Sequence, residues 1–370
     1  MNWFNINHLT KFKIIDTYNS TIRGYVLPHA GTKYTGHILS HTLRFIPNNY
    51  FSNILILYYP ANNHENIIFQ NQKYYHEYYV LMKTLKYFTE NIWKFGEKNI
   101  TGINVRDNNN INFDYNNTLI IVSADFSHFL PLQEAIVKEN CAAHSLLHRK
   151  FDLECTNVVD TIETFKLLYN NLPNNNYLQW IGRTRSPGIK GVGYLSFLIK
   201  KPQNLFKIPD GIFITAYDKQ MRQRECLGEW FDTHKYNKTI QNNLLNKVIN
   251  LARTTSRLTG GNYLNIPINN YTITYLYKDS AKKFIRGYHG IKGDAFYLPD
   301  VMLENSYDNG KWIKKFDKFW PKSKNFKINN TLKKIREKAG NLTKKYKTKK
   351  YKTKKYKTKK YKTKKYKTKK

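Results

Sequence analysis

Leu119-Ile120-Ile121-Val122-Ser123-Ala124-Asp125-Phe126-Ser127-His128 decides how this chain is read. An apolar, largely β-branched run stops abruptly at small and polar residues. A short continuous run bounded in this way reads as a strand buried on both faces. Upstream, Gly24-Tyr25-Val26-Leu27 does the same and leads into Pro28-His29-Ala30-Gly31, then Tyr34-Thr35-Gly36. A further run, Ile54-Leu55-Ile56-Leu57-Tyr58-Tyr59, ends at Pro60 and continues to Asn63-His64-Glu65. Two polar clusters at the ends of two strands suggest one site. Imidazole beside carboxylate points to metal binding or proton transfer.

Between these runs the spacing turns helical. One helix follows Gly36, with His37, Leu39, Leu43 and Phe45 near one stripe. Others are expected over 74–91 and 134–149. Apolar strands alternating with helices predict an α/β fold with a parallel sheet covered on both faces. Ligands of such sheets bind beyond the carboxyl ends of the strands, and right-handed crossovers put His29, His64, Asp125 and His128 on one edge. A closing strand is read over 191–199, and the texture changes at Lys200-Lys201-Pro202. A new unit starts at Gly211-Ile212-Phe213-Ile214-Thr215, with a helix over 240–257 and a strand over 272–276. The reading divides the chain into 1–202, a smaller α+β unit at 203–340, and a tail at 341–370 that is expected to be disordered.

A length of 370 residues suits two domains, and 41% hydrophobic residues supply a sizeable core. The formal charge of +36 is uneven. Lys-Lys-Tyr-Lys-Thr repeats five times from Lys344 to Thr368, then Lys369-Lys370 follow, so 17 lysines and no acid sit in the tail. Lysines neutralise phosphates and tyrosines stack on bases, which predicts polyanion or nucleic-acid contact through residues 344–370. Lysine is a point charge, so non-specific binding is favoured over sequence readout. The cysteines Cys141, Cys155 and Cys226 are few and odd in number, which predicts no disulfide framework and a reducing compartment. Residues 1–13 lack an apolar core of signal-peptide length, and no run approaches the roughly 20 apolar residues of a membrane span. A soluble, intracellular, cytoplasmic protein is the expectation.

The motifs carry a resemblance. Pro28-His29-Ala30-Gly31 with Tyr34-Thr35-Gly36, and Ser123-Ala124-Asp125-Phe126-Ser127-His128-Phe129 followed by Pro131, Glu134 and Ala135, resemble the MEMO family. The segments 182–184 and 192–194 resemble its closing part. The MEMO fold is similar to that of class III extradiol dioxygenases, and MEMO proteins bind redox-active metal through two histidines and a cysteine. The resemblance implies iron or copper held by His29, Cys155 and a third ligand, for which His64 is the nearest histidine. Asp125 and His128 become the flanking catalytic pair, acting on a small-molecule substrate. The family's Glu-His-x-x-Glu stands here as Tyr75-His76-Glu77-Tyr78-Tyr79. The second unit resembles the AMMECR family, through Gly211–Thr215, Arg224-Glu225-Cys226-Leu227-Gly228, His289-Gly290, Leu298-Pro299, Glu304 and Trp312.

Each candidate also has a structural reading. Asp125 can cap a helix, and Cys155 can be a small buried hydrophobe. Cys141, His144 and His148 share a helical face as metal ligands often do, but the apolar stripe beside them favours solvated or capping histidines. His37 and His41 read as packing, and Cys226 as buried. Two functions follow: a metal-dependent oxidoreductase, or a binding and adaptor protein whose chemistry has eroded. The second is motivated by the altered His64 segment, the missing glutamates around His76, and Glu225 in place of a glycine.

Overall fold

The apolar runs form the middle of a six-stranded sheet. The computed structural model describes residues 3–15, 21–61, 67–108, 113–202, 208–231, 236–254, 267–278, 285–292, 296–305 and 327–336. The first unit comprises β1 (Ile22–Leu27), α1 (Thr32–Leu43), β2 (Asn53–Tyr58), the small hairpin β3 (Ile67–Phe69) and β4 (Gln72–Tyr74), α2 (His76–Tyr87), β5 (Asn99–Asn104), β6 (Thr118–Ser123), α3 (Leu132–Leu147), α4 (Ile162–Asn171), β7 (Tyr177–Arg185) and β8 (Gly193–Lys200). The strand order is β5-β2-β6-β1-β8-β7.

β5, β2, β6 and β1 are mutually parallel; β1, β2 and β6 are the buried apolar runs, and β5 is a half-exposed edge strand. β8 runs antiparallel to both β1 and β7. The sheet is therefore mixed rather than wholly parallel, because β7 and β8 form a hairpin instead of being joined by a helical crossover.

Alternate residues of each strand serve opposite cores. Val26, Leu57, Ile120 and Val122 pack with Ala142, Ala143, Leu146 and Phe165 from α3 and α4. Tyr25, Leu27, Ile54, Ile56 and Ile121 pack with Leu39, Leu43, Leu81 and Leu85 from α1 and α2. Period-2 side-chain alternation explains why a strand between two helical layers is apolar at every position. Truncating a residue such as Leu146 to alanine would cost about 2–5 kcal/mol through lost burial and the cavity left behind.

The second unit comprises β9 (Gly211–Tyr217), β10 (Gln223–Trp230), α5 (Lys238–Thr254), β11 (Asn270–Lys278), β12 (His289–Lys292), β13 (Phe296–Tyr297), α6 (Pro299–Asn305) and β14 (Lys327–Arg336). Its sheet is antiparallel, in the order β10-β9-β11-β14-β12-β13. Leu244, Val248, Ile249 and Ala252 of α5 cover Ile212, Ile214 and Ile273. Cys226 lies on β10, where burial pushes its thiol up to about 12, so it is not a reactive thiolate.

The two units meet at α3. His144, expected near solvent, is buried with Nε2 2.8 Å from Oε1 of Glu304. Nε2 of His148 lies 3.1 Å from Oγ1 of Thr272. These imidazoles serve the junction between units. The expectation of no disulfide is also corrected: Cys141 on α3 is bonded to Cys155. Three cysteines do not reveal by spacing which two pair, and here the bond closes a separation of 14 residues. The repeat tail at 344–370 lies outside the described residues. Among the described residues, no helix is long and apolar enough to cross a membrane.

Candidate metal centre

β1 and β6 are parallel neighbours in register, with Leu27 opposite Ser123. Their carboxyl ends therefore open at the same edge, and the backbone N–H of Ala124 donates to the Leu27 carbonyl at 2.9 Å. His29 leaves one strand end and Asp125 the other. The His29 backbone N–H donates to Oδ1 of Asp125 at 2.9 Å, and both side chains are buried.

A third group joins them. Asp160 lies between the 3-10 turn Glu154–Val158 and α4. Its Oδ1 accepts the Asp125 backbone N–H at 3.1 Å, and its own N–H donates to the Asp125 carbonyl at 3.3 Å. Thr161 fastens the same segment by donating to the Ser123 carbonyl at 3.0 Å. Each carboxylate thus spends one oxygen on backbone and turns the other toward the imidazole. Nε2 of His29 is 3.8 Å from Oδ2 of Asp125 and 3.3 Å from Oδ2 of Asp160.

The tautomer of His29 follows from the other ring nitrogen. The Ser123 hydroxyl donates to the Glu77 carbonyl at 2.7 Å, which uses its only proton. It can then only accept from Nδ1–H of His29, 3.0 Å away. Nε2 is left as the atom facing the carboxylates, the arrangement by which an outer hydrogen bond orients a metal-binding imidazole.

His76 and Glu77, at the start of α2, stand on the other side of His29. The His76 ring stacks on Trp3 at 4.7 Å and meets the His29 ring edge-on at 5.3 Å. Oε1 of Glu77 accepts the Ala61 N–H at 3.1 Å. Its Oε2 is buried, lies 3.2 Å from Nδ1 of His76, and accepts no hydrogen bond. The potential ligand atoms of His29, Asp125 and Asp160 all lie within 4.8 Å of one another, as do those of His29, His76 and Glu77.

The charges are strongly coupled. Burial pulls the His29 pKa down, but Asp125, Asp160 and, further away, Glu77 more than offset this and bring it to about 10. Burial raises the Asp125 carboxyl, His29 opposes the rise, and Asp160 adds to it. Burial lowers His76, and a charge on His29 lowers it further, which keeps His76 a neutral donor.

The donor set fits a metal ion. Bonds of about 2.1 Å at right angles separate neighbouring donors by about 3 Å, close to the His29–Asp160 spacing. The Asp125 carboxylate needs only a small inward shift. Oε2 of Glu77 is buried 3.2 Å from Nδ1 of His76, in the second group of potential ligands that shares His29. Asp160 is the accessible edge, with 23% of its side chain exposed.

Of the residues read from sequence, the structure brings His29 and Asp125 together. His128 is exposed, bridges to Val192, and forms no ion pair with Asp125. His64 lies outside the described residues. Cys155 is joined to Cys141, so its sulfur is not a free thiolate. Asp160 and Glu77 were missed as site residues. Asp160-Thr161 precedes a helical pattern and looks like a cap, while Glu77 looks like an ordinary first-turn acid. No family model matches this chain, and no curated protein matches it in sequence.

Proposed function

We propose that this chain is a metal-binding protein of MEMO-like kind, and that its centre is built on His29, Asp125 and Asp160, with His76 and Glu77 able to complete it. The convergence of two backbone-anchored carboxylates on Nε2 of one tautomer-fixed imidazole supports the reading. With Cys155 in a disulfide the donors are nitrogen and oxygen only. Such a set suits iron(II) or manganese better than copper(I), which prefers thiolate.

A bound ion would supply a Lewis acid and open positions for a substrate oxygen, which fits an oxidoreductase acting on a small molecule. The chain's own groups would do the rest. Ser123 holds the imidazole orientation. Asp160 stands at the accessible edge, where an entering group would meet the ion. The buried strand ends keep water from Asp125.

The test is metal content in protein purified without a histidine tag. The wild type should carry near-stoichiometric iron or manganese. Asp160→Asn should lose it, whereas a Cys141→Ser/Cys155→Ser variant should keep it. Retention in Asp160→Asn with loss in the serine variant would return the ligand role to Cys155.

A further inference from the structure

The carboxyl ends of β1 and β6 share their edge of the sheet with the turn between β7 and β8. β8 runs antiparallel to β1, so its first residues stand at the carboxyl end of that strand. Backbone bonds join this turn to the segment after β6. The N–H groups of Phe126 and Phe129 donate to the Gly193 and Gly191 carbonyls at 2.9 and 3.1 Å, and the Gly193 N–H donates to the Ser127 carbonyl at 2.8 Å.

Large apolar side chains stand out from these joined segments. Ile189, in the turn, is 88% exposed, and Phe129 is 66% exposed. Leu132, three residues further on at the start of α3, is exposed as well. Phe129 holds a φ of 56°, in the left-handed region that a bulky residue seldom occupies. Its bond to Gly191 fixes it there, beside the turn that carries Ile189. Tyr34, on the first turn of α1 directly after β1, adds an exposed ring at the same edge.

The charge around these residues is positive. Lys33 and Lys190, both exposed, adjoin Tyr34 and Ile189 in the chain. Glu134, the acid in the first turn of α3, is spent on Lys138 at 2.9 Å. The whole chain carries +36, and 17 of its lysines lie among tyrosines in the repeat tail.

Exposed apolar side chains gathered at one edge mark an interaction surface. The phosphates of a nucleic acid gain nothing from isoleucine and leucine. A bilayer surface uses both features, because apolar side chains enter the boundary between headgroups and acyl chains while lysines meet anionic headgroups. We infer that this edge docks on an anionic lipid surface, with Phe129, Leu132 and Ile189 entering the interface. The strand ends that carry His29 and Asp125 then face the membrane. Docking needs no bound ion, so this assignment and that of the metal centre can fail separately.

The probes are vesicles of phosphatidylcholine alone, or mixed with phosphatidylserine, sedimented with the full chain in the presence of chelator. The wild type should bind the mixed vesicles far more tightly than the neutral ones. Phe129→Gln/Ile189→Gln, at exposed positions, should weaken that binding at least about tenfold. Ile189→Trp should tighten it, because an indole favours the interface. Equal binding by the wild type and the double variant would leave the lysines alone responsible and overturn the proposal. So would absence of vesicle binding, an equal loss of duplex-DNA affinity in the double variant, or a wild-type dimer that the double variant dissociates.

Discussion

Nε2 of His29 and Oδ2 of Asp160 stand 3.3 Å apart, and the space between them takes one proton or one metal ion. In the metal-free protein a proton on Nε2 is shared with the carboxylates, because the His29 pKa is raised to about 10. Metal ligation needs the neutral nitrogen. Loading should therefore expel about one proton per ion near neutral pH. Calorimetry in buffers of different ionisation enthalpy counts that proton. Loading with no proton release contradicts the arrangement.

The same shift sets a pH window for the metal-free chain. The ordinary His29 pKa is 6.5 and the folded value is about 10. A raised folded pKa contributes stability fully below about 6.5, and the contribution fades until it is lost above about 10. In chelator, the wild type should lose its melting-temperature advantage over His29→Gln across that interval. A difference that stays flat, or grows with pH, goes against the charge assignment.

Much of this was legible in the sequence. The apolar runs at 24–27, 54–59 and 119–122 announced strands covered on both faces, and the polar stops after them located His29 and Asp125 at one edge. What was hidden needs three dimensions. Asp160 follows α3 and a 3-10 turn, and only the Thr161–Ser123 and Asp160–Asp125 backbone bonds return it to the strand ends. The resemblance made Asp125 and His128 a flanking pair. His128 instead bridges in extended form to Val192 and turns outward. The family resemblance made Cys155 a ligand, and it is bonded instead to Cys141 on a separate element.

Ser123→Ala removes the acceptor of Nδ1–H and the donor to the Glu77 carbonyl together. Two buried polar groups are left unpaired, which should cost about 1–3 kcal/mol in urea unfolding. Metal affinity should fall about 10–100-fold, as when an outer partner of a ligating histidine is lost. A competition titration against a chelator measures this. Unaltered affinity would mean that the hydroxyl does not set the imidazole.

Gly193→Ala probes the strut beneath the junction. An added Cβ would sit 1.8 Å from Oε1 of Glu139, which Arg183 and Ser127 hold in place. The glutamate cannot swing away without leaving Arg183 buried and uncompensated. A loss of about 3–5 kcal/mol is expected from denaturant unfolding. A change below about 1 kcal/mol would show that Glu139 is free to move.

The disulfide closes a short loop, with its cysteines 14 residues apart. In the chain-entropy account a loop of this size contributes about 3 kcal/mol. Cys141→Ser/Cys155→Ser should unfold at correspondingly lower urea. The wild type in reducing buffer should match it. Identical curves for wild type and variant under oxidising conditions would argue against the bond.

The central claim is that one ion sits among His29, Asp125 and Asp160. Anomalous diffraction at the iron edge, from crystals soaked in iron(II) without oxygen, tests it most directly. The account predicts a peak bonded to Nε2 of His29 and to Oδ2 of both aspartates. A peak at Cys155, or density at the absorption edge nowhere near Nε2 of His29, would contradict it.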